Sequence, residues 1–430
     1  MGFGFGIACV CRRHMFGLFK FQHQRFMSNY STCSMTMNEC LSKVQDFQFS
    51  PYLLKHCTMG TSFSEAIVKP VEWVADENGN LRNPESIPED LMSSYISYRV
   101  NFKDLFADGF HMLSNSESLG RIYQLAPLFH FLRKKDYHEK CLRKALQEHR
   151  DRKKFTESQI SMLLAIHLLS QLVFPTDDPG LTDTSIPLPY IMSNDVPDKV
   201  VSCPCGCGRT VFYGNTGIGT TALWYGNPDI LVFPNGGVCG ISSSPVKDFS
   251  EFDILNEENE LLDEVETELS SLRHMKSIRQ FTAQAITFSF YQASIQEQNS
   301  RSSDHGDSFV SLIPTIAISE KGFDVYMYDS VNEIFFRNCG DSLPLWNEQL
   351  PTHHNATINI SSVVTLWMLI HHLTLKPAVT PAHVSLFGGS ASLGLDKEQI
   401  QEIKRTITMS KDFPVPDLHE KLNLTKKKTV

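Results

Sequence analysis

Two groups of residues in this chain could do chemistry. The first is built on Asp229. Gly226, Asn227 and Pro228 set this carboxylate at the start of the apolar run Ile230-Leu231-Val232-Phe233. A carboxylate at the mouth of a small sheet is a hard oxygen ligand of the kind Mg²⁺ takes. Phosphodiester cleavage by such a metal also needs a positioned cation or a metal-bound water. Lys247 follows the next apolar run, Val238 to Ile241. Gln280 and Gln284 come later, one helical turn apart, so their amides share a helix face. The plainer alternatives are that Asp229 is a turn residue after Pro228 and that the two glutamines are surface amides.

The second group is Cys203-Pro204-Cys205-Gly206-Cys207-Gly208-Arg209. Thiolates this close together, set among Pro and Gly, can grip Zn²⁺ as part of a tetrahedral site. The three cysteines alternate instead of spacing by two. A fourth ligand has to come from elsewhere, and Cys239 and Cys339 are available but stand alone. The alternative is a turn of reduced thiols. A nucleophilic thiol is disfavoured, because the sequence pairs no histidine with it. Arg133 to Lys154 forms a third, basic stretch, with ten Lys/Arg against four Asp/Glu. It could track a phosphate backbone or be a solvated helix face. His371 and His372 lie on an apolar helix, where a histidine is usually a core group.

These residues need elements to hold them. Apolar residues at Leu125, Leu128, Phe129 and Leu132 recur at helical steps. Thr156 and Gln159 form a capping box that opens another helix, whose apolar residues nearly encircle its axis. Short strands are expected at 209–213, 221–224, 229–234 and 237–242, with Asn235-Gly236 turning a hairpin. The stretch 248–268 holds ten Asp/Glu and no Lys/Arg, which reads as a solvated insertion. A helix over 272–296 follows, then strands at 312–319, 323–329 and 333–338, and helices at 360–375 and 396–408. The divisions are a tail over 1–60, a helical region over 96–172, an α/β core over 195–375 and a C-terminal helix with a basic tail over 376–430.

The chain has 430 residues, 41% hydrophobic and 20% charged, the composition of a globular protein with a full core. A net charge of −9 means that any surface for DNA must be a local patch. No apolar run is long enough to span a bilayer, so no membrane partner is expected. Eleven scattered cysteines point to a reducing compartment, cytoplasm or nucleus. Residues 1–38 carry Arg12, Arg13, Lys20 and Arg25 with no acid. That is the bias of a mitochondrial presequence, with a disordered tail as the alternative.

The order Pro228-Asp229, strand, strand, Gln-bearing helix resembles the PD-(D/E)XK nuclease superfamily. It is most similar to nuclease-like proteins of invertebrate genomes, through Arg279 to Ile286, Ala285 to Phe290, Ile313 to Ile318 and Val325 to Asp329. The resemblance covers roughly residues 195–375. It implies an α/β fold: a restriction-endonuclease-like mixed sheet flanked by helices, with a helical N-terminal region. It also implies that Asp229 holds Mg²⁺, Lys247 orients water, and Gln280 and Gln284 lie beside the metal. The acid expected two residues before Lys247 is replaced by Pro245. Three readings follow. One is a degenerate nuclease-like protein binding nucleic acid or a protein partner. Another is an active Mg²⁺-dependent DNA endonuclease. The third is a non-catalytic interaction module with a small zinc site at Cys203, Cys205 and Cys207.

Overall fold

The computed structural model describes residues 37–78, 80–83, 86–88, 95–114, 125–152, 156–173, 190–193, 199–232, 238–243, 260–302, 309–348 and 356–410. Six helices and ten strands build the two cores. They are α1 Met37–Val44, β1 Gln48–Thr58, β2 Ile67–Glu72, α2 Leu125–Arg152 and α3 Glu157–Leu164. Then come β3 Tyr190–Ser193, β4 Lys199–Ser202, β5 Thr210–Gly214, β6 Ile230–Val232 and β7 Cys239–Ser243. The chain continues through α4 Glu260–Ser302, β8 Leu312–Ile318, β9 Gly322–Asp329, β10 Ile334–Asn338 and α5 Ile360–Ile370. A short amphipathic helix, α6, spans Lys397–Thr406.

The ten strands form one mixed sheet in the order β2-β1-β10-β9-β8-β7-β6-β3-β5-β4. The pairs β7/β8 and β3/β5 are parallel and the others antiparallel. Parallel neighbours need a crossover, and α4 is the crossover between β7 and β8. Period-two alternation divides the strands between two cores. Leu312, Ile316, Ile318, Val325 and Met327 face the layer of α1, α2, α3 and α5. Ile313, Ala317, Tyr326, Tyr328 and Phe335 face α4 and α6. The sheet is therefore the middle of three layers.

The expected strands at 312–338 and helices at 360–375 and 396–408 match these elements within a few residues. Three expectations need correction. The expected four or five strands are a ten-strand path. The span 1–60 is not all tail, because β1 pairs with both β10 and β2 inside the sheet. The acidic stretch is not all insertion, because α4 already begins at Glu260. The Asn235-Gly236 turn lies outside the described residues, but β6 and β7 on either side of it pair antiparallel. No helix among the described residues is long and apolar enough to cross a membrane.

Two features of the packing give measurable consequences. A Cβ on Gly240 of β7 would lie 2.1 Å from Cε2 of Phe288 on α4. That ring is 1% exposed and has nowhere to move. Gly240→Ala should therefore cost about 1–3 kcal/mol in urea unfolding, and Phe288→Leu added to it should recover part of the loss. The second feature is the buried pair His371 and His372. Burial, the largest cause, holds each at a pKa of about 4, below the ordinary 6.5. The unfolded chain takes up protons first as pH falls, so their contribution is complete above pH 6.5 and is lost between 6.5 and 4. The slope is roughly 1.4 kcal/mol per pH unit for each histidine. The stability–pH curve of His371→Gln/His372→Gln should be shallower over that range, whatever its absolute stability.

Candidate metal centre and the strand-opening carboxylate

The cysteine turn connects β4 to β5. It is closed by Cys203 N–H donating to Arg209 O at 2.7 Å and Gly206 N–H donating to Cys203 O at 3.1 Å. Gly206 and Gly208 have φ of +76° and +79°. Only glycine enters that region cheaply, and the two reversals turn all three alternate thiols to one side. Opposite them the helix that starts as α3 widens into a π turn over Ala165–Leu169. Such turns often mark functional positions. This one carries His167, which is fully buried.

His167 Nε2 lies 3.4 Å from Cys203 Sγ, 3.2 Å from Cys205 Sγ and 3.6 Å from Cys207 Sγ. The Sγ atoms of Cys203 and Cys205 are 3.3 Å apart. All four donor atoms lie within 4.8 Å of one another, so the cluster can hold a metal ion. A four-coordinate ion bound at about 2.3 Å by sulfur and about 2.0 Å by nitrogen has edges of roughly 3.5–3.8 Å. The observed separations are close to those edges. They leave room for one ion and not for a multinuclear cluster.

The surroundings suit a ligand set. Nδ1 of His167 is 3.2 Å from Nδ1 of His138 on α2. With Nε2 turned to the thiols, Nδ1 carries the proton and His138 accepts it. An outer-shell acceptor of this kind fixes the tautomer and orientation of a metal-binding imidazole. Burial, and then the charge of Arg209, lowers the pKa of His167 to about 4 and keeps it neutral. Burial pushes the thiols up, Cys205 to about 11 and Cys203 further. A bound cation reverses that preference and draws off the protons. The Arg209 guanidinium, 5.9 Å from the Tyr137 ring centroid, offsets the negative charge three thiolates bring.

The sequence located three of these four donors. Neither Cys239 nor Cys339 completes the set: Cys239 is buried in the core and Cys339 lies 3.0 Å from Ser50 Oγ. The fourth ligand is a histidine from a helix read as pure core. Its signal was slight, one imidazole inside Ile166-His167-Leu168.

The carboxylate site differs from expectation. Asp229 is half-buried and directly precedes β6. The ladder pairs Ile230 with Ile241 and Leu231 with Gly240, and one further step places Asp229 beside Ser242. Ser242 Oγ donates to Oε1 of Gln284 at 3.0 Å. Gln284 is fully buried, and among the described residues its Nε2 has no hydrogen-bond partner. Gln280 sits one turn earlier, half-buried. Lys247 and Pro245 lie outside the described residues. Among the described residues Asp229 belongs to no group of three or more donors able to hold an ion, so Mg²⁺ finds no described site there.

The basic stretch is partly consumed in structure. Glu139, 6% exposed, takes Lys135 at 2.9 Å and Arg143 at 3.6 Å, and accepts from Ile358 N–H at 3.0 Å. No protein-family model, curated protein or solved structure matches this chain.

Removing the outer-shell acceptor should loosen the centre. His138→Ala is expected to weaken metal binding about 10–100-fold. Competition with a chromophoric chelator measures this, and unchanged affinity would remove His138 from the centre.

Proposed function

We propose that this chain is a nuclease-like protein that does not cut. A zinc ion at His167, Cys203, Cys205 and Cys207 fastens its sheet edge, and its α4-covered face serves to bind. One observation carries the reading. The one group of three or more metal donors among the described residues is this soft Cys₃His set, not a set of hard oxygens around Asp229. Three thiols and an imidazole in tetrahedral reach favour Zn²⁺, and four protein ligands with no open position make a structural site.

The order behind the resemblance supports the nuclease-like part. Asp229 opens β6, β7 pairs with it, and α4 follows with Gln284 against Ser242. A serine beside Asp229, where cleavage needs a second carboxylate, supports an inactive site. A divalent ion bridging two acids requires both within about 2.0–2.6 Å of it, and a hydroxyl cannot supply the charge. The bound partner is then nucleic acid or protein. The engagement of Lys135 and Arg143 by Glu139 and the chain's net charge of −9 favour a protein.

Purified full-length protein should contain one zinc per chain by elemental analysis. It should leave supercoiled plasmid intact with Mg²⁺ or Mn²⁺. Ser242→Glu should create a Mg²⁺-dependent rise in melting temperature that Asp229→Ala, added to it, removes. Mg²⁺-dependent nicking by wild type that Asp229→Ala abolishes would overturn the inactive reading. A zinc-free, fully folded protein would overturn the structural metal.

A further inference from the structure

We propose that Arg337, Tyr52 and Tyr326 form a binding site for a phosphoryl oxyanion on the α4-facing side of the sheet. The site is separate from both the metal centre and Asp229, and it does not rest on the nuclease-like reading.

The Arg337 side chain is 15% exposed, yet among the described residues its guanidinium donates no hydrogen bond. The nearest carboxylate oxygen, Asp324 Oδ1, is 3.8 Å from Nη2, beyond hydrogen-bond length. Its Nε is enclosed and has no hydrogen-bond partner among the described residues. A guanidinium carries five N–H donors, and leaving them unmet away from water is costly. The two nearby acids are turned to other donors. Asp324 accepts from Asn338 Nδ2 at 3.1 Å and Ser342 Oγ at 2.9 Å. Glu72 accepts from Ser50 Oγ and pairs with Arg99 Nη1 at 3.7 Å.

Other polar side chains share this face of the sheet. The Arg337 guanidinium lies over the Tyr326 ring, 5.5 Å from its centroid. Arg337 is the register partner of Tyr326 on one side and Ser50 on the other. Tyr52, two residues beyond Ser50, shares its strand face. Neither phenol has a hydrogen-bond partner among the described residues. Burial, the first cause, pushes Tyr52 up to about 12 and raises Tyr326 as well. Both therefore remain protonated donors at neutral pH. Arg99, 38% exposed, donates to Ser50 Oγ at 3.0 Å and stands at the rim.

Arg337, Tyr52 and Tyr326 stand on one face of three adjacent strands, β1, β10 and β9. Phosphate brings more negative charge and more acceptor oxygens to these donors than acetate does. Arginine is also the side chain best shaped to meet phosphate oxygens in pairs.

Titration calorimetry on the full-length protein with inorganic phosphate tests this, with acetate as the planar comparator. Wild type should bind phosphate saturably at one site, at least about tenfold more tightly than acetate. Arg337→Gln should weaken phosphate binding by about tenfold or more, the size of a lost charge-assisted hydrogen bond. Tyr52→Phe should weaken it several-fold without changing melting temperature, since that phenol makes no internal hydrogen bond, and it carries the test if Arg337→Gln does not fold. Arg405→Gln, at an exposed arginine paired with Glu402, should bind as wild type does. No saturable phosphate binding, equal affinity for acetate, or unchanged affinity in Tyr52→Phe and any folded Arg337→Gln would overturn the proposal.

Discussion

The architecture depends on how α4 is held. It joins two parallel strands, so it must cross the sheet, and its residues 281–290 are buried without exception. A helix enclosed on every side keeps its polar groups cheaply only where they find partners. Several do. Gln284 ties to Ser242 on β7, and Oε1 of Gln292 accepts from Val238 N–H at 3.4 Å. Gln296 pairs with both backbone groups of Val310, at 2.8 and 2.9 Å, as a neighbouring strand would. These amides form a line of ties along one helix. Gly240 lets the helix come close enough to make them. Gln284, which looked catalytic, therefore has a structural reason to be where it is, and a site at Asp229 has to be argued from its own ligands.

The Cys₃His cluster sits at a part of the sheet that α4 does not reach. β4 and β5 lie at the far edge, where a hairpin has few neighbours to pack on. The thiols at its tip meet His167 from the helical layer, and His138 on α2 holds His167 in turn. A single ion there would join the edge hairpin to α3 and α2. Burial alone would keep the thiols protonated and the site weak, so the cation and Arg209 would have to supply the favourable field. Metal binding and the docking of this edge would then be one event, as in other sites whose ligands come from separate segments.

What could be read from the sequence follows from how local each signal is. Strands β8 to β10 alternate cleanly between two cores, and short turns connect them, so their bounds were legible. The start of α4 was not, because its first turns are acidic and resemble an insertion. His167 was not legible either. Its ligand role depends on a π turn and on a cysteine turn far along the chain, and neither leaves a periodic mark. The register that sets Ser242 beside Asp229 is likewise a tertiary fact. Reading the acid position from the distance to Lys247 pointed to Pro245 instead.

The same limit applies to β1. By composition it belongs to an unremarkable N-terminal stretch, but the sheet places it between β2 and β10. Ser50 and Tyr52 then stand beside Arg337, which lies far away in sequence. A polar pair on a strand with no evident role thus becomes one wall of a donor cluster. The cluster lies several strands from Asp229, across β7 and β8.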